Sequence, residues 1–199
     1  MFFIQSFPLN SHLFACVRQP LMISPSLDKE LNLLGWRLAD GALTVLGYRC
    51  ALANIVQRLF NCSTVALWRV TGVQGERTLQ CLGRYQAAAA GLPCRDVVSE
   101  TQLRQYFEVL SDLGVYACDD TLNDENLSAL ESWYRRPDAP RAFLDTLVAI
   151  NGQAFCVLSC YHESGRRQWA IDEETTLKRL GARVALHLAR MNPRGFGLE

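Results

Sequence analysis

FLDTLVAINGQAFCVLSCYH, residues 143–162, sets the architecture. Two runs rich in β-branched and aromatic residues, Phe143–Ile150 and Gln153–His162, meet at Asn151-Gly152. An Asn-Gly pair supplies the positive-φ positions of a type I′ turn, so the stretch predicts a tight antiparallel hairpin. A second hairpin is expected upstream. CSTVALWRVT (62–71) alternates like a strand, Gly72-Val73-Gln74-Gly75 turns the chain, and Arg77–Tyr85 pairs back. Two hairpins exclude an all-parallel sheet.

Helical patterns surround these strands. Residues 28–60 carry Leu31, Leu34 and Leu38 on one stripe, then Leu46, Ala53, Val56 and Phe60. Ser26 is the expected cap, with a bend near Asp40-Gly41. Residues 86–98 are expected to be a connection. Ser99 and Gln102 predict a capping box opening a helix to about Ser111 with Leu103, Phe107 and Leu110 on one side. Val115–Cys118 is a short strand, Asn123–Trp133 a helix, and 135–139 a loop. A last helix runs from Asp172 to about Met191, with Leu177, Leu180, Val184 and Leu188 in register. The order α–β–β–α–β–α–β–β–α predicts an α+β fold, one antiparallel sheet with helices on both faces. Residues 1–27, interrupted by Pro8, Pro20 and Pro25, are expected to be an irregular N-terminal arm. Residues 28–192 form the domain and 193–199 a tail.

Composition narrows the function. The 199 residues are 49% hydrophobic and 20% charged, as in an ordinary globular domain. Twenty Lys+Arg balance twenty Asp+Glu, which argues against nucleic acid or a polybasic membrane clamp as partner. No run approaches the length of a membrane span. The eight cysteines form no CxxC pair, and the three histidines lack zinc-finger spacing. They are expected to be reduced, buried small residues in a cytoplasmic protein. No GxGxxG or P-loop is present.

Four segments together resemble the GAF domains found before histidine kinase and diguanylate cyclase outputs. They are RQYFEVLSDLGVYACDDTLND (104–124), ENLSALESWYRR (125–136), FLDTLVAINGQAFCVLSCYH (143–162) and RRQWAIDEETTLKRLGARVALHLA (166–189). The third is similar to the subgroup's "LDVPI…G…GVLCxEH" strands. It departs at Leu147 for Pro, Cys156 for Gly, Ser159 for Cys and Tyr161 for Glu, and keeps His162. The resemblance implies a GAF-like sheet with terminal helices on one face and pocket-forming helices and loops on the other. It also implies a bacterial, cytoplasmic sensor that is not an enzyme. Such a sensor binds a small molecule of unknown identity, dimerises through its terminal helices, and acts on an output domain or protein in cis or in trans. A ligand-free dimerisation or interaction module is the first alternative. A thiol sensor using Cys94, Cys118, Cys156 or Cys160 is the second.

Candidate ligand-binding residues follow. Trp68, Tyr85, Tyr106, Tyr116, Trp133, Tyr134 and Tyr161 offer rings with polar tips, suited either to a concave ligand site or to core filling. Asp119 and Asp120 lie where Glu108, Asp112, Asp119, Asp120, Asp124, Glu125 and Glu131 are unbroken by any base. They either face the pocket or fix the loop through Asx turns. Asp145 is an acid inside a strand; it binds ligand or pairs with an arginine such as Arg135 or Arg141, and burial without a partner raises its pKa. Ser159 stands at the altered Cys position. His162 is expected to be structural and Arg166-Arg167 a solvated pair. Gly181, Ala182, Ala185 and Ala189 give the last helix an edge for close packing, on the sheet or on a second copy.

Overall fold

The structure is a computed structural model that describes residues 24–86 and 96–190. The N-terminal arm lies outside the described residues except for its last four positions, and the tail lies wholly outside them. Six strands form one antiparallel sheet in the order β3-β2-β1-β6-β5-β4. They are β1 (Thr64–Thr71), β2 (Thr78–Gln86), β3 (Val97–Ser99), β4 (Val115–Cys118), β5 (Ala142–Ile150) and β6 (Gln153–His162). The hairpin at Asn151-Gly152 forms as expected, with φ of 51° and 79° at its two turn residues. The central pairing joins β1 to β6, Val65 opposite Cys160 and Leu67 opposite Leu158.

On one face lie α1 (Pro25–Ala39), α2 (Val45–Phe60) and α5 (Ile171–Arg190). They bury Leu31, Leu52, Val56, Leu177, Leu180 and Leu188 against Val65, Leu67, Leu144 and Leu158 of the sheet. On the other lie α3 (Arg104–Leu113), a 3-10 turn (Glu125–Leu130) and α4 (Glu131–Tyr134). They pack an aromatic layer on Trp68, Phe143, Val157 and Tyr161. Period-2 alternation divides each strand between the two layers. The α+β expectation, with terminal helices on one face, holds.

Local readings shift at the ends of elements. The expected helix 28–60 is two helices, because Gly41 takes φ of 77° and Thr44 starts a new helix by accepting from the Gly47 amide at 3.1 Å. The first helix begins at Pro25, capped by Ser24 rather than Ser26; proline fits there because a first-turn N–H has no intrahelical acceptor. Part of the expected 86–98 connection is a strand: Val97–Ser99 pairs with Thr78–Gln80 at the sheet edge. Ser99 receives the Gln102 side chain on its amide at 3.2 Å, but this closes a turn, and α3 starts only at Arg104. The expected helix 123–133 is mostly 3-10 winding, begun by Asp124, which accepts from the Asn126 amide at 3.0 Å.

Candidate functional site

The site is built on the aromatic face. Strands β5 and β6 present Phe143, Asp145 and Tyr161 there, β1 adds Trp68, and β2 adds Leu79. From above come Val98, Leu103, Tyr106 of α3, Leu130, and Trp133 and Tyr134 of α4. Together they line a cavity of about 40 Å³. That is room for about two or three waters, well below the several hundred Å³ of a typical ligand pocket.

Asp145 is the polar centre. It is 5% exposed and accepts the Tyr106 hydroxyl proton at 2.7 Å on Oδ2. Its Oδ1 has no hydrogen-bond partner, and neither has the buried Oγ of Ser159, the residue directly across the β5–β6 pair. Burial pushes the Asp145 carboxyl up to about 7; the nearby Ser159 and Tyr106 hydroxyls pull it the other way. Neither arginine expected to pair with it does so: Arg135 is held by Glu131 of its own helix, and Tyr106 takes that place. Tyr161 Oη accepts from Trp68 Nε1 at 3.1 Å, while the buried Trp133 Nε1 has no partner. Burial raises the hydroxyls of Tyr106, Tyr134 and Tyr161 well above their ordinary value.

Of the residues expected to bind ligand, Trp68, Tyr106, Trp133, Tyr134, Asp145 and Tyr161 come together around the cavity. Tyr85 does not. Leu67 pairs with Gly83 and Trp68 with Cys81, so Leu82 is an extra residue in β2. That bulge reverses the parity of the strand. Leu79 and Cys81 pack in the aromatic layer, whereas Tyr85 is packed in the helical layer.

Tyr116 packs in the aromatic layer, stacked on Phe143 at 5.9 Å, but its hydroxyl is drawn away to Asp124 at 2.8 Å. Asp119 is exposed and accepts from the Trp169 amide at 3.1 Å. Asp120 closes an Asx turn onto the Leu122 amide and accepts from Asn123 at 2.6 Å. Its partial burial raises its pKa, but these bonds and the charge of Arg166 hold it below its ordinary value. Both acids are loop fixers. Ser159 is on the cavity side of β6, beneath Asp145 rather than in the wall. The apolar half of the wall, Leu79, Val98, Leu103, Leu130 and Phe143, was missed. Only the alternation of Phe143 with Asp145 hinted at it.

Arg166 and Arg167 are not a solvated pair. Arg166 is 75% exposed beside Asp120, but Arg167 is only 15% exposed. It donates to the Phe60 carbonyl at 2.6 Å and to Glu173 at 2.7 Å, over the Trp169 ring, so it ties α2 to the start of α5. His162 accepts or donates only to Ser164 at 3.0 Å, at the strand end. Cys118, Cys156 and Cys160 are buried free thiols, and burial raises the pKa of each, Cys156 to about 12. Such thiols stay protonated and unreactive. Cys94 lies outside the described residues. Among the described residues, no three His, Cys, Asp or Glu side chains gather as a metal site.

No family model and no curated protein matches the sequence. Solved structures do. The blue-light-absorbing form of the PixJ GAF domain of Thermosynechococcus elongatus superposes with a TM-score of 0.58 at 20% identity, over 79% of this chain and 89% of that one. The chain has a GAF fold. A far-red-absorbing dark state with bound biliverdin shares this GAF fold at TM-score 0.58 and 16% identity, over 81% of this chain and 99% of that one. Residues 122 to 287 of a methyl-accepting chemotaxis protein share it at 0.59 and 16%, over 81% and 98%.

Proposed function

We propose that the chain is a sensory regulatory domain that works by binding rather than by chemistry. A small molecule in the aromatic cavity would bias the terminal helices, which act on an output domain or partner. The observation that carries this is Asp145: a buried carboxylate oxygen with no partner, in the wall of a cavity. Natural cores rarely leave such an atom unpaired without a functional reason. The structures that share the fold, among them a blue-light-absorbing GAF domain and a segment of a methyl-accepting chemotaxis protein, point the same way.

A route to the helices exists. Thr146, next to Asp145 on β5, faces the opposite layer, and there α5 lies so close that a Cβ on Gly181 would stand 3.0 Å from the Thr146 methyl. A guest that displaces Asp145 therefore moves the seat of α5. Its effect on output equals its differential affinity for the two helix positions. Gly181 serves this sheet contact. Ala182 and Ala189 remain exposed, as do Leu33 and Trp36 of α1, 60% and 61%, and Leu186 of α5, 52%. This apolar surface supports dimerisation through the terminal helices. Trp36→Glu should then lower the mass measured by light scattering from dimer to monomer. No described helix is long and apolar enough to cross a membrane.

The biliverdin of the far-red relative does not suit this cavity. A linear tetrapyrrole needs space of the order of a full ligand pocket, and Tyr106, Trp133, Tyr134 and Phe143 fill that volume here, leaving about 40 Å³. The same small volume favours the second reading, a ligand-free interaction module. Native mass spectrometry of the purified chain, with a thermal-shift screen of small metabolites, separates the two. A bound mass or a saturable shift that Asp145→Asn abolishes supports the sensor. Neither effect with any compound supports the module.

A further inference from the structure

Building on the ligand-binding reading of this cavity, we infer that its guest is a compact organic cation, a primary ammonium or guanidinium head. It would be held against Asp145 inside a box of aromatic rings.

Three observations converge. First, the wall contains a single acid and no base: Asp145 is lined up with Trp68, Tyr106, Trp133, Tyr134, Phe143 and Tyr161, and none of the lining residues is Lys, Arg or His. Two guanidiniums stack on the wall rings from outside the lining, and each has its own acid: Arg136 over Trp133 at 4.5 Å lies 3.8 Å from Asp138, and Arg84 over Trp133 and Tyr161 at 5.4 and 5.8 Å is paired with Asp96 at 3.1 Å. An ionised Asp145 thus has no counterion in the cavity, and an ionised carboxylate left so buried is costly. A cation entering the box supplies that counterion.

Second, the free atom is the right one. Tyr106 occupies Oδ2 and leaves Oδ1 open, 95% of the residue being out of solvent, so an N–H donor has one defined acceptor. Ser159, across the strand pair, lies beneath the acid and outside the wall, and its hydroxyl favours the ionised carboxylate. Third, apart from Asp145 the wall is aromatic rings and four aliphatic residues, Leu79, Val98, Leu103 and Leu130. Aromatic rings attract ammonium and guanidinium groups, more strongly once these are desolvated, and repel nothing the head carries. The same wall is poor for an anion, which would meet the Asp145 carboxylate directly. The volume of about 40 Å³ limits the head to a few heavy atoms.

The proton balance gives a further handle. Besides Asp145, the ionisable groups that approach the cavity from the packed elements are Tyr106 of α3, Tyr134 of α4, Tyr161 of β6, Tyr116 and Cys118 of β4, Cys81 and Arg84 of β2, and Arg136 just after α4. Burial raises the four tyrosines and Cys118, so these stay neutral near pH 7. Asp145 alone changes charge there, and a cation must expel its proton. Cation affinity should therefore fall as the pH drops below about 7.

The test is calorimetric titration of the full chain at matched ionic strength with methylammonium and methylguanidinium. Acetamide and N-methylurea serve as neutral controls of similar size, and acetate as the anion. Saturable binding of a cation, weakened at least tenfold by Asp145→Asn and by a shift from pH 8 to pH 6, is the expected result. Trp133→Leu, which leaves the acid in place, should weaken it several-fold and guards against a misfolded Asn variant. Equal binding of the neutral controls, or preference for acetate, overturns the cation while leaving the site. No saturable binding of any probe overturns the cation and the ligand-binding reading together.

Discussion

The two faces of the sheet are built from the same strands and obey different rules. The helical face is apolar and interlocked. Leu158 and Leu177 are fully buried, and α1 meets α5 so closely that a Cβ on Gly35 would lie 2.2 Å from the His187 ring. Buried polar groups in this layer find partners: Tyr48 meets His187 at 2.9 Å, and Gln57 donates to the Tyr85 carbonyl at 2.9 Å. The aromatic face instead leaves Asp145 Oδ1, Ser159 Oγ and Trp133 Nε1 without partners. One face is optimised for packing. The other gives up stability around a small space, as functional sites commonly do.

The comparison can be broken by substitution. Leu158→Ala in the helical layer should cost roughly 3 kcal/mol, because a fully packed site cannot collapse around the missing atoms; urea unfolding measures it. Gly35→Ala should cost about 2 kcal/mol by overpacking, and the penalty should shrink in the His187→Ala background, as a double-mutant cycle would show.

Asp145→Asn on the other face should do the opposite and stabilise. The carboxyl is raised from 3.8 to about 7 by burial, so the folded chain holds its proton more tightly than the unfolded chain does. Stability from this group is therefore fully present below about pH 4 and declines as the pH rises towards 7. The Asn variant should match the parent near pH 4 and gain up to about 4 kcal/mol at pH 8, where the parent carries the full penalty of an ionised buried carboxylate. A destabilised Asn variant at pH 8 would erase the contrast between the faces. The smallest effect belongs to Asp120→Ala, about 0.5 kcal/mol for a lost surface turn, with no change in any binding at the cavity.

Legibility followed physical range. Asn151-Gly152 encodes its turn in two residues, and the 3.6-residue stripe of Leu177, Leu180, Val184 and Leu188 encodes the buried side of α5, so both were readable. The strand 97–99 was not, since three residues carry no period and pair only because β2 offers a free edge. Tyr85 was misplaced because one inserted residue, Leu82, turns every later side chain of β2 to the other face, and no local pattern announces a bulge. Arg167 looked like half of a solvated loop pair because, besides nearby Glu173, its partners are the Phe60 and Asn61 carbonyls, more than a hundred residues away.

The sequence by itself determined the strands, their alternation and the aromatic stock of one sheet face, since these depend on neighbours a few positions apart. Only the tertiary structure decided that Tyr106 rather than an arginine meets Asp145, that the acids at 119 and 120 stay outside the site, and that the enclosed space is small. Those outcomes depend on which distant side chains arrive at the same few ångströms, and on the volume left between them.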